Sequence, residues 1–195
     1  WAGTNKSYDG KAMRTKGEKA GQLKGFVGKT LNALNDIKTG GDVGNELISN
    51  LENSKTYTTI REGENSASGT SVSWDPSGNS SGLDAAGNTS RPSYIGLAHE
   101  LAHSWDLISD GSQNQSQWFQ MGGKSIPVAE QYSMHVENQI RAENGIALRI
   151  YYGKIIDYTL ALLIQKPFRH FDLTQLVPLQ IHQEFFGRVH GYPVQ

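Results

Sequence analysis

Five residues, His99-Glu100-Leu101-Ala102-His103, constrain this chain more than any other run in it. They lie within a segment of helical periodicity that Ser90-Arg91-Pro92 opens and that continues to about Ile108. Ser90 is a candidate cap, and Pro92 is tolerated in the first turn, where its missing N–H is not needed. On a helix, residues four apart lie one turn above each other, so both imidazoles can point at one ion. Glu100, about 100° around the axis, reaches the open side of that ion. Ile95, Ala98, Ala102 and Trp105 form an apolar stripe that would hold the other face against a core. The expected fold therefore buries one side of this helix and leaves a cleft on the other. Two surface histidines on an ordinary amphipathic helix would spell the same pattern, but with 6 histidines in 195 residues it arises by chance in only about one such chain in a hundred.

The chemistry this spacing suits is metal-assisted hydrolysis. Neutral imidazole suits Zn²⁺, a bound water has its pKa lowered toward about 7, and the adjacent carboxylate takes the proton as the water attacks a carbonyl. With no cysteine in the chain, any metal must be held by histidine and carboxylate. A catalytic zinc takes three protein ligands and keeps one position open. The third is expected from the downstream acidic helix Pro127 to Asn144, where Glu130 is preferred. Glu137, seven residues on and on the same face, is the alternative, although it can also pair with Arg141 one turn later. His135 is a further alternative ligand, and Glu143 is expected in solvent. Asp106, three residues past His103, is placed to accept that ring's other N–H. Tyr132, Tyr151 and Tyr152 are candidate oxyanion donors, with packing as their commoner role. His170, His182 and His190 are read as surface or packing residues.

Elsewhere the pattern alternates helix with β texture. Leu23, Phe26, Val27, Leu31, Leu34 and Ile37 predict a helix from Glu18 to Lys38 that stops at Gly40-Gly41, and Asp42 to Glu52 a second, shorter one. The runs 56–60 and 70–74 are rich in β-branched and aromatic residues and flank a Gly/Asn/Ser turn, which predicts a β-hairpin. Residues 76–91 and 110–124 read as polar surface loops, and Gly145 as a left-handed helix cap. A last helix, Ile155 to Lys166, is predicted before Pro167, and 167–195 is a possible C-terminal appendage to a single domain spanning 1–195 with its core at about 18–166.

A net charge of −1 gives no global field to gather nucleic acid or anionic lipid. The longest apolar run, Tyr158 to Ile164, is far short of the ~20 residues that span a bilayer. The first residue is Trp1, which predicts a segment of something longer.

The run from Ile95 to Asp106, taken with Glu130 to Arg149, resembles the effector-type zincin metalloprotease domain. That family includes type III secreted effectors that cut host kinases and toxin tips of bacterial Rhs repeat proteins. The similarity covers about Thr56 to Gly153, and its more specific part is the Asn138-Gln139-Ile140-Arg141 and Leu148-Arg149 block; Ala147 stands where the family usually has proline. The resemblance implies an α+β zincin-like fold, in which the active-site helix and the acidic helix pack with a small sheet. It implies a zinc endopeptidase delivered by a bacterial secretion system into a target cell, with a protein or peptide substrate there and, for a toxin, an immunity protein as partner. His99 and His103 would be ligands, Glu100 the base and Glu130 the third ligand. In zincins a strand edge beside the cleft holds extended peptide; the hairpin is expected to supply it, with Val72→Pro as the disrupting change. Two rival readings remain: a binding module with a closed structural metal site, and a zinc amide hydrolase acting on peptidoglycan.

Overall fold

The structure, a computed structural model, describes residues 25–121 and 123–150. All of these belong to the first of two units into which the chain divides, Trp1–Lys154. The start of the first predicted helix, the predicted helix at 155–166, the segment 167–195, and Tyr151, Tyr152, His170, His182 and His190 lie outside the described residues. The architecture is α+β.

Helix α1 (Gly25–Thr39) and helix α2 (Asp42–Asn53) pack against each other and are joined at Gly40-Gly41, as the glycine stop predicts. Leu34, Ile37, Leu47 and Ile48 are buried between them and the rest of the core. The pair is close: a Cβ on Gly44 would strike the Ile37 carbonyl. The exposed N-terminus of α2 is satisfied from a distance. Glu143, exposed as expected, also accepts the Val43 N–H at 2.9 Å, a carboxylate placed where helix N–H groups and the positive end of the dipole favour one.

Strands β1 (Thr59–Glu62), β2 (Ser66–Ser68) and β3 (Ser71–Trp74) form one sheet in the order β1-β3-β2. The predicted hairpin is thereby corrected. Its two arms, β1 and β3, pair in parallel, Ile60 opposite Val72, while the intervening residues fold back as β2 to make the true hairpin with β3. Composition marked the two apolar strands but not β2, whose Ser-Ala-Ser carries no strand propensity and is held by its ladder alone. Val72 and Trp74 alternate onto the buried face, and the Trp74 indole donates to the Ser93 carbonyl at 2.9 Å, tying the sheet to the start of the next helix.

Helix α3 (Ser93–Asp110) is central and buried on nearly every side. Ile95, Ala98 and Ala102 are in the core as expected, but so are Leu97 and Leu101, whereas Trp105 is only half-buried. Ser90 does not cap it. Pro92 occupies that place, and Ser90 bridges to Ser80. The helix ends at Gly111 in the left-handed region (φ 73°), whose N–H returns to the Leu107 carbonyl.

Two predicted loops carry more structure than their polarity suggests. Within 110–124 the chain forms β4 (Gln117–Met121), paired with β5 (Lys124–Pro127). A register shift between Gln117 and Phe119 breaks the period-two alternation, so no strand pattern is visible there. Within 76–91, Ser81, Asp84 and Arg91 are buried, because this segment clasps the chain beyond the last helix: Ala85 N–H donates to the Leu148 carbonyl and Ile150 N–H to the Leu83 carbonyl. That last helix, α4 (Ala129–Glu143), closes with Ile146 N–H on the Arg141 carbonyl and Gly145 N–H on the Ala142 carbonyl; Gly145 is left-handed (φ 65°), as predicted.

Candidate metal centre

Helices α3 and α4 pack face to face, and the contact brings the expected side chains together. His99 and His103 point their Nε2 atoms at one Glu130 oxygen, Oε2, each at 3.2 Å. The two rings stand edge to face with centroids 5.0 Å apart. Ligand atoms from His99, His103 and Glu130 all lie within 4.8 Å of one another. Two donors held about 2.0–2.1 Å from a tetrahedral zinc stand about 3.3 Å apart, so the 3.2 Å separations suit such an ion. Glu130 sits in the first turn of α4, where the helix dipole favours a carboxylate.

Without an ion, the three groups neutralise one another. Burial works to lower the His99 pKa, but the contacts with Glu130 and Glu137 and the charges of Glu137 and Glu100 overcome it and push the ring up to about 9. Burial likewise opposes the Glu130 charge, yet the bonds from His103 and His99 hold its carboxyl well below the usual range. Glu100 is 7% exposed and is raised, first by burial, with His99 and His103 pulling the other way. It lines the same cleft of about 270 Å³ as the two histidines and Glu130.

Glu137 has a different place from the one a ligand needs. It is fully buried, with Oε2 3.0 Å from Nδ1 of His99, the ring nitrogen opposite the donor cluster. Arg141 Nε donates to its Oε1 and Arg149 Nη1 to its Oε2, each at 2.9 Å, and Arg91 Nη1 lies 2.8 Å from Oε1. Three guanidinium groups thus surround one carboxylate; against its burial, the contact and charge of His99 first, then the charges of Arg91 and Arg149, hold its pKa well below normal. The Arg141 pairing expected from helical spacing is present. Arg91 and Arg149 are unforeseen, because they come from segments 46 and 12 residues away from Glu137 in sequence and no local pattern links them. Arg141 also donates to the Ala147 carbonyl and to Ser81, so the second block of the resemblance serves this network.

The remaining candidates are not brought to the cleft. Asp106 is buried but makes no hydrogen bond to His103; burial, then the charge of Asp110, raises its carboxyl to about 6, with His103 opposing. The role assigned to it at one histidine is filled at the other by Glu137, since only α4 can reach a ring nitrogen facing away from the cleft. Tyr132 is half-buried on α4, and its hydroxyl is raised by burial and by Asp106, Asp110 and Glu46, away from the residues that line the cleft. His135 is exposed.

Sequence reasoning missed the cleft's polar walls. Asn65, Ser66 and Ala67 come from the β1–β2 turn and β2, and Gln113 and Gln115 from the segment after α3. Gln113 donates to the His103 carbonyl at 2.7 Å. The edge of the sheet at the cleft is β2, not the predicted β3, which is the central strand. Because Thr59 N–H donates to the Thr70 carbonyl and Gly63 N–H to the Trp74 carbonyl, the even-numbered residues of β3 face β1 and the odd ones face β2. Ser66 and Ser68, opposite Ser73 and Ser71, therefore hold the ladder, and Ala67 turns its N–H and C=O outward.

No curated protein and no solved structure matches the chain. A family model does: Peptidase_M91, described as an effector protein, matches residues 14–133, a span that includes His99, Glu100, His103 and Glu130. With well over half its length inside that match, this chain belongs to the Peptidase_M91 effector protein family.

Proposed function

We propose that this chain is a zinc-dependent endopeptidase that acts as a secreted bacterial effector or toxin on a protein of a target cell. The observation that carries the reading is the convergence of His99, His103 and Glu130 donor atoms in one cleft with a buried carboxylate, Glu100, and an open strand edge. His99, His103 and Glu130 would hold the ion. Bound zinc supplies Lewis-acid polarisation of the scissile carbonyl and acidifies the attacking water. Glu100, raised by its burial, takes the proton from that water and returns it to the leaving amine nitrogen. Glu137, held by its three arginines, keeps Nδ1 of His99 protonated and Nε2 free to ligate. Ala67 N–H and C=O pair with an extended substrate backbone by strand addition.

A closed structural site needs four protein ligands, and among the described residues the group offers three. Delivery into a target cell, and an immunity protein where the target is a neighbouring bacterium, are proposed from the family's description as effectors. Among the described residues no helix is long and apolar enough to cross a membrane. The test is elemental analysis joined to peptide cleavage. Wild type should carry about one zinc per chain and cleave peptide bonds, His99→Ala should lose both properties, and Glu100→Gln should keep the zinc and lose cleavage. Wild-type protein that retains no zinc after reconstitution, or that cleaves only peptidoglycan amides, overturns the reading.

A further inference from the structure

Asn65, in the turn between β1 and β2, has a side-chain amide whose orientation is set by its neighbours. The Asp75 backbone N–H donates to its Oδ1 at 2.9 Å, and since a backbone N–H can only donate, the oxygen must be the atom on that side. The NH₂ group is thereby turned to the opposite side, where it packs over α3: a Cβ on Gly96 would stand 2.5 Å from Nδ2. Gly96 lies one helical turn before Glu100, and the absence of a side chain there is what admits the amide. Nδ2 has no acceptor among the described residues, and Asn65 lines the cleft together with Glu100 and His99. Arg91 flanks the same spot, its buried Nε also without an acceptor and 3.4 Å from the Gly96 Cβ position. The Nδ2 donor of Asn65 is therefore free to meet an oxygen that enters the cleft from outside the chain.

The position of Asn65 along the strand says which oxygen. Ala67 presents the outward N–H and C=O of β2, and along a strand the next outward-facing unit falls two residues away, about 6.8 Å on. Residue 65 lies just before the ladder residues 66–68, and its side-chain amide, fixed by Asp75, lines the cleft at that end of β2. We propose that Asn65 is a substrate-binding residue: Nδ2 donates a hydrogen bond to a backbone carbonyl of a peptide lying extended along β2, continuing past Ala67 the ladder that the strand itself abandons. This assignment rests on the peptidase reading of the cleft.

The test compares Asn65→Asp with Asn65→Ala in the zinc-loaded chain. Aspartate keeps the acceptor for Asp75 N–H and replaces the donor with a charged oxygen. The probe is an internally quenched peptide that wild type cleaves, selected from a combinatorial library, and its binding is also read by anisotropy in a Glu100→Gln background, where no cleavage occurs. Asn65→Asp should weaken binding and raise KM by roughly tenfold, with zinc content and melting temperature at wild-type values. Asn65→Ala should do the same and melt earlier. Unchanged binding in Asn65→Asp, or a loss of binding in Asn65→Asp accompanied by loss of zinc or of melting temperature in that same variant, overturns the proposal and leaves the peptidase reading standing. A wild-type chain that cleaves no peptide overturns both.

Discussion

At the scale of single residues, the surroundings set two carboxylates of the cleft apart, as the proposed division between a base and metal ligands requires. Glu100 and Glu130 are both carboxylates near the same histidines, yet burial raises one and the His103 and His99 contacts lower the other. Glu100→Gln should accordingly reduce kcat by about 10²–10⁴-fold with zinc content unchanged, measured by single-turnover cleavage beside elemental analysis. Asp106 is a cleaner titration. Its folded pKa of about 6 exceeds the 3.8 of a free aspartate, so the folded state binds more protons between those values and stability falls as pH rises through that window. Asp106→Asn removes the effect and should raise the melting temperature at pH 7.5 by about 2–4 °C with little change at pH 4, as thermal unfolding at the two pH values will show.

At the scale of elements, the sheet assigns different consequences to two prolines. Val72 is fully buried in the central strand with neighbours on both sides, so Val72→Pro would break the sheet and report folding instead of substrate binding. Ala67 lies on the edge strand with its N–H outward. Ala67→Pro should leave the melting temperature nearly unchanged while weakening binding of an uncleaved peptide roughly tenfold. The α1–α2 pair makes the opposite point about crowding. At Gly44 an added methyl meets a backbone carbonyl, which cannot rotate away, and Gly44→Ala should cost about 1–3 kcal/mol in denaturant unfolding without changing zinc content.

At the scale of the whole molecule, the proposed zinc would compete with a proton for His99. In the metal-free chain His99 is raised from 6.5 to about 9, so its protonated form stabilises the fold fully below pH 6.5 and that contribution is lost as pH rises through about 9. Zinc needs the ring neutral, so its binding strengthens over the same window. The gap in melting temperature between zinc-loaded and chelator-treated protein should therefore widen from pH 6 to pH 9, and at a free zinc concentration of about 100 Kd the added stability should be about 2.7 kcal/mol. A gap that narrows with pH would place the ion elsewhere.

The amino-acid sequence alone determined the four-residue spacing on a helix, the carboxylate between the two histidines, the acidic helix that follows and the glycine stops, because each depends on contacts within a few residues along the chain. Glu130 was reachable as a candidate for the same reason: few carboxylates follow the histidine pair on a helical face. Tertiary structure decided the rest. Which strand became the edge depended on β2, whose three residues have no preference of their own and acquire one from the ladder of β3. Glu137, and not Asp106, came to stand behind a histidine ring because Nδ1 of His99 faces α4, where Arg141 of the same helix and Arg91 and Arg149 of distant segments hold that carboxylate, and no periodicity in a single segment encodes the angle at which two helices meet.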